Sequence, residues 1–207
     1  MTAELIPDHA AQAKTEFQQD SLLTVYGTLW HSLPPLQPGW PKRLALRPDA
    51  ADAWGELQPV VVQLLRNGSI IGFNLGDELI WNCLPPDDLT AAVDMIRASF
   101  PRGQAIIWYN EATPVLQEGI SQCNKTKDMP MDKYTIPANL DWFSIDMYHM
   151  DGPVKGWVGE NVRKFYETWI YPNFTSPSQK ALLVPGAFGS NVNHFPNVSS
   201  QAIRRCL

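Results

Sequence analysis

Along this chain the hydrophobic and polar positions predict helices and strands in turn. Residues 8–19 are rich in helix formers, with Asp8 placed to cap the first turn. Leu22–Trp30 is apolar, β-branched and aromatic and reads as a strand; a proline-rich connection follows from Leu33 to Pro41. A second helix is expected over Ala50–Leu65, broken or kinked at Pro59, with Asn67-Gly68 turning the chain. A regular rhythm then sets in: strand Ser69–Glu78, amphipathic helix Asp87–Phe100, strand Ala105–Glu111, strand Trp142–His149, helix Val158–Ile170 and strand Ala181–Gly189. In the helix, Leu89, Val93 and Ile96 share one face. Leu44–Arg47 is a candidate sixth strand.

Strands alternating with helices imply βα units and a parallel sheet, hence an α/β fold. Such sheets are doubly wound or close into (β/α)8 barrels. No glycine-rich phosphate loop follows any strand, so the nucleotide-binding folds lose their usual mark. Strand interiors favour the barrel. In Ser69–Glu78, Gly72, Asn74, Gly76 and Glu78 form a small, polar set opposite Ile71, Phe73, Leu75 and Asp77. In Trp142–His149, Ser144, Asp146 and Tyr148 oppose Phe143, Ile145 and Met147. A barrel turns its apolar set to the helices and its small polar set to the crowded interior. A doubly wound sheet, covered on both faces, prefers apolar residues on both. Five or six strands fall short of eight, and 207 residues fall short of the roughly 250 typical of the fold. The expectation is one TIM-barrel-like domain over residues 1–207, incomplete at one or both ends.

Composition narrows the classes. With 44% hydrophobic, 11% aromatic and 18% charged residues the chain suits a globular domain, and no apolar run is long enough to insert in a membrane. The net charge of −5 with 16 Lys+Arg and no basic cluster argues against nucleic acid as a partner. The start of the chain lacks a signal-peptide pattern, yet four Asn-x-Ser/Thr sequons occur, at Asn67, Asn124, Asn173 and Asn197. The expectation from these sequons is a secretory protein whose targeting segment is missing from this chain. The cysteines, Cys83, Cys123 and Cys206, read either as three reduced thiols or as a Cys83–Cys123 disulfide with Cys206 left over. Histidines are scattered, so no metal site and no cofactor is expected.

Three consecutive strands finish with acids: Asp77-Glu78, Asn110-Glu111 and Asp146-x-Tyr148-His149. In a parallel βα fold these ends share one side, where active sites are built. By alternation Glu78 and Asp146 point inward, and Glu111 does so if Tyr109 does. Asp77 falls on the helix-facing set and reads as structural. Crowded, buried carboxyls raise one pKa and so produce a general acid. Around them stand aromatic and hydrogen-bonding residues suited to sugar rings: Trp81, Asn82, Trp108, Tyr109, Tyr148 and His149, with Trp81 and Tyr148 the better subsite candidates and Trp108 read as packing.

Gly72-Phe-Asn-Leu-Gly-Asp-Glu78, Tyr109-Asn-Glu111 and Asp141-Trp-Phe-Ser-Ile-Asp-Met-Tyr148 together resemble the (β/α)8 glycoside hydrolases, over roughly residues 20–190. The resemblance implies hydrolysis of an oligo- or polysaccharide by strand-end carboxylates, with Glu78 in the position of the acid/base that ends the fourth strand. The nucleophile of such enzymes usually ends the seventh strand, and Leu183–Gly189 has no carboxylate there. The chitinase-like branch matches less well, since Asn74 and Gly76 stand where its strand carries aspartates. Glu111 or Asp146 is then the second carboxylate; alternatively the chain is a glycan-binding barrel without catalysis. Loops after neighbouring barrel strands carry Cys83 and Cys123, which favours their pairing.

Overall fold

The computed structural model describes residues 14, 20–35, 38–39, 41–119, 121–123, 134–147 and 163–185. Its elements run in order β1 (Leu22–Thr24), α1 (Tyr26–Leu29), β2 (Trp30–Leu33), β3 (Arg43–Leu46), α2 (Ala50–Arg66), β4 (Gly72–Asp77), α3 (Pro86–Ser99), β5 (Ile106–Ala112), α4 (Thr113–Glu118), β6 (Trp142–Met147), a π-helical turn Tyr166–Ile170 passing into a 3-10 turn Tyr171–Asn173, and β7 (Lys180–Pro185). The fold is α/β, and its main sheet is five-stranded and wholly parallel, in the order β1-β4-β5-β6-β7. Each strand lies beside its predecessor in that sheet. Trp54 of α2 and Phe100 after α3 pack on one face of it.

That face is apolar. Phe73 meets Trp54 of α2 edge-on, with ring centroids 5.3 Å apart, and packs on Phe100 at 5.5 Å. Tyr109 and Phe143 continue the layer at 5.4 Å. In α2 the buried Ala50, Trp54, Val61 and Leu64 make the stripe that faces the sheet. The helix runs through Pro59. Both Pro59 and Gly55, whose carbonyl loses its partner, are on the exposed side, where water replaces the missing bond. Pro86 opens α3, Asp87 and Asp88 lie in its first turn and Arg97 in its last, as the helix dipole favours. Asp88 also accepts the Leu46 amide at 2.8 Å, which ties β3 to this helix.

Two readings of the sequence are corrected. Leu22–Trp30 is not one strand: parallel pairing with β4 covers Leu22–Thr24, and α1 then redirects the chain. Trp30 starts β2, which pairs antiparallel with β3 in a separate two-stranded sheet, so Leu44–Arg47 contributes no strand to the parallel sheet. The helix expected over residues 8–19 lies outside the described residues, apart from Lys14.

The amino ends of β5 and β6 are clamped by one carboxylate. Asp141 pairs with Arg97 and, at 2.9 Å, with Arg102, and accepts the Ile107 amide at 2.8 Å. Arg97 spends its remaining donors on the carbonyls of Asn139, Phe100 and Ala105. Because Asp141 and Arg97 are largely buried, removing one partner strands a charge. Asp141→Ala is expected to cost about 3–5 kcal/mol in urea denaturation. A loss below about 1 kcal/mol would mark the clamp as a surface-type pair.

Candidate functional site

The site is set by an irregularity in β4. Its register with β5 is regular from Gly72↔Ile106 to Asn74↔Trp108, then shifts, so that Asp77 pairs with Asn110. Gly76 takes φ +143°, a conformation open to glycine, and its amide is held by the Asn74 side chain at 3.0 Å. Within this stretch the Leu75 carbonyl accepts the Trp30 indole N–H at 2.8 Å. The bulge reverses the alternation. Asp77, expected among the helix-facing residues, instead joins the face of Asn74, Trp108 and Asn110.

On that face a chain of hydrogen bonds crosses three strands. Trp108 Nε1 donates to Ser144 Oγ at 2.9 Å, Ser144 donates to Asn110 Oδ1 at 2.7 Å, and Asn110 Nδ2 donates to Asp77 Oδ1 at 2.7 Å. Ser144 and Asn110 are buried, Trp108 is half-buried and Asp77 is exposed. The network thus orients an accessible carboxylate and a partly open indole. Asp146 follows Ser144 in β6, in register with Ala112 and Val184. Trp108, read from sequence as packing, is part of this strip.

Glu78 follows Asp77 in a left-handed conformation, φ +48°. Its amide donates to Asn110 O at 2.9 Å, and its carbonyl accepts both the amide and the side chain of Asn82, at 2.8 and 2.9 Å. Asn82 also accepts from Gln122 at 3.2 Å, so its side chain stitches loops together. Cys83 and Cys123 close the same region with a disulfide, Sγ–Sγ 2.06 Å and Cα–Cα 5.6 Å.

Glu111 and Tyr109 lie on the opposite face with Phe143 and Ile145, and both are fully buried. Glu111 therefore does not turn inward with Asn110, and Tyr109 presents no surface to a sugar. The Glu111 carboxylate accepts the amides of Ile80 at 2.9 Å, Trp81 at 3.3 Å and Ala112 at 2.7 Å. Tyr109 donates to it at 3.4 Å and shares a short hydrogen bond with Tyr134. Burial pushes Glu111 up to about 8 against the pull of the three amides, and the charge of Glu78 adds to the rise. Burial also raises both phenols well above their usual value. Glu111 acts as the clasp of the Glu78–Trp81 turn. Trp81 is half-buried against the core.

Tyr148, His149, Asn124, Asn197 and Cys206 lie outside the described residues. Asn67 is exposed, and its side-chain oxygen accepts the Ser69 amide at 3.0 Å; Asn173 is half-buried and donates to Trp169 O. Among the described residues no cluster of His, Cys, Asp and Glu is arranged to hold a metal ion, and no helix is long and apolar enough to cross a membrane. A cavity of about 500 Å³ lies at the other end of the strands, lined by Ile70, Arg102, Ile106, Trp142 and Lys180 among others. That end holds the Asp141 clamp and none of the strand-end acids.

The raised pKa of Glu111 carries a signed consequence. A carboxyl that binds its proton more tightly when folded contributes stability that is complete below its unfolded value near 4.5 and is lost as pH rises through about 8. The stability of the protein relative to Glu111→Gln, which has no proton to lose, is expected to fall by several kcal/mol over that interval. Urea denaturation at pH 4.5, 6 and 8 measures it, and a pH-independent difference would refute the assignment. Comparison with protein-family models gives no match, and neither curated proteins nor solved structures yield one.

Proposed function

We propose that this chain is a carbohydrate-active hydrolase of (β/α)-barrel type, cleaving a glycosidic bond at the carboxyl ends of its parallel strands. The observation that carries the reading is the exposed Asp77 held by the Trp108–Ser144–Asn110 network, with Glu78 in the adjoining turn and Asp146 two strands away in register with Ala112. The sequential order of the parallel strands, with a small, polar strip opposite an apolar layer, supports the barrel reading.

Strands two apart are separated by roughly 10 Å, since neighbours lie about 4.8 Å apart. Carboxyls about 6.5–9.5 Å apart leave room for a water and act with inversion; pairs about 5–5.5 Å apart act with retention. The spacing favours inversion. Glu78, in the acid position that the resemblance implies, protonates the leaving oxygen. Asp146 draws a proton from water as it attacks the anomeric carbon from the other side. Asp77, aimed by Asn110, accepts a hydroxyl of the sugar, and Trp108 offers its ring to an apolar sugar face. The Cys83–Cys123 disulfide and the sequons support passage through the secretory pathway.

One observation favours a second reading, glycan binding without hydrolysis: β7 and the residues after it, Lys180–Gly189, carry no carboxylate. A panel of oligosaccharides with product detection by NMR separates the two. Under hydrolysis, Glu78→Gln and Asp146→Asn each lower kcat by about 10²–10⁴ and the product appears in the inverted anomeric form. Binding with no product from the unaltered protein selects the second reading. Neither binding nor turnover refutes both.

A further inference from the structure

At the β1 side of Asp77 the structure brings polar residues of β1 and β4 near an exposed aromatic ring. Thr24 pairs with Asn74 in register, which puts it on the face of Trp108 and Asn110. Two residues on, at the start of α1, Tyr26 is 38% exposed, one of two large hydrophobic residues exposed among those described. Its ring edge lies over Gly76: a Cβ built there would stand 2.9 Å from Tyr26 Cδ2 and 2.8 Å from Leu79 Cδ2. Gly76 therefore serves twice, forming the bulge that turns Asp77 to this face and leaving the space in which the ring rests.

The hydrogen-bond inventory of the patch is incomplete in a telling way. Asn74 spends its side-chain oxygen on the Gly76 amide, and Asp77 spends one oxygen on Asn110. The Thr24 hydroxyl, the Tyr26 phenol, the Asn74 amide nitrogen and the second Asp77 oxygen have no partner among the described residues. Thr24 and Asp77 are exposed and Asn74 is half-buried, so all three are open to a ligand. An exposed ring near donors and acceptors matches a pyranose, which has an apolar C–H face and a rim of hydroxyls.

We propose that Tyr26, Thr24, Asn74 and Asp77 form a monosaccharide subsite, with the sugar ring stacked on Tyr26 and its hydroxyls on the other three. This rests on the carbohydrate reading above and fixes where one sugar unit of the glycan sits.

The test titrates the full chain and its variants with cello-, xylo-, manno-, malto- and chitohexaose by calorimetry. For a hexasaccharide that the unaltered protein binds, Tyr26→Ala is expected to weaken affinity about tenfold, equivalent to about 1.4 kcal/mol. Tyr26→Trp is expected to keep it within about threefold, since the stacking surface remains. Thr24→Val, a near-isosteric change on an exposed strand residue, is expected to cost about two- to tenfold through one hydrogen bond. Unchanged affinity in Tyr26→Ala, or equal losses in the Ala and Trp variants, overturns the subsite while leaving the carbohydrate reading standing. If the unaltered protein binds no member of the panel, the carbohydrate reading fails together with the subsite.

Discussion

Where a parallel strand ends and the chain turns back toward a helix, its backbone amides leave the ladder and need acceptors, because burying them unpaired costs about as much as losing a hydrogen bond. After β4 this need is met by a side chain from the next strand. Glu111 gives its two oxygens to the amides of Ile80, Trp81 and Ala112. Those bonds hold a turn containing two non-glycine residues with positive φ, Glu78 and Cys83. Such backbone is uncommon and persists where the surroundings over-determine it. Here the surroundings are Glu111, the Asn82 bonds to Glu78, and the Cys83–Cys123 disulfide, all converging on a few residues.

The two ends of the sheet use buried carboxylates differently. Asp141 sits among guanidinium groups, so its charge is matched by charge and the clamp fixes where β5 and β6 begin. Glu111 has no cation beside it among its hydrogen-bond partners; amide and phenol dipoles face it, and burial weighs against its charged form. One end of the sheet is thereby locked by ion pairs. At the other a rigid turn presents acids next to an open polar strip.

The bulge at Gly76 decides which acids those are. Without it, alternation places Glu78 with Asn74 and turns Asp77 to the helices. With it, Asp77 pairs with Asn110 and enters the network that ends at Trp108. The same glycine makes room for Tyr26. One residue without a side chain therefore sets both the carboxylate and the aromatic surface next to it.

The sequence by itself determined the parallel α/β rhythm, the places of β4, β5, β6 and β7 to within a few residues, and the end of the strands at which the acids stand. Those features follow from local periodicity and from the rule that parallel strands end on one side. The division of β4 and β6 into an apolar and a polar face was equally visible, because alternation is a local property. What only the tertiary structure decided is which side chain each strand end presents. Glycine permits a bulge at Gly76 without announcing one, and a shift of one residue exchanges the two faces. Glu111 and Glu78 look alike in sequence, yet the first is spent on backbone amides that come from another strand's turn, a long-range need no local pattern records. Likewise the chain from Leu22 to Trp30 has strand composition throughout, but only Leu22–Thr24 finds a partner in β4, and pairing across the sheet, not propensity, ends the strand there.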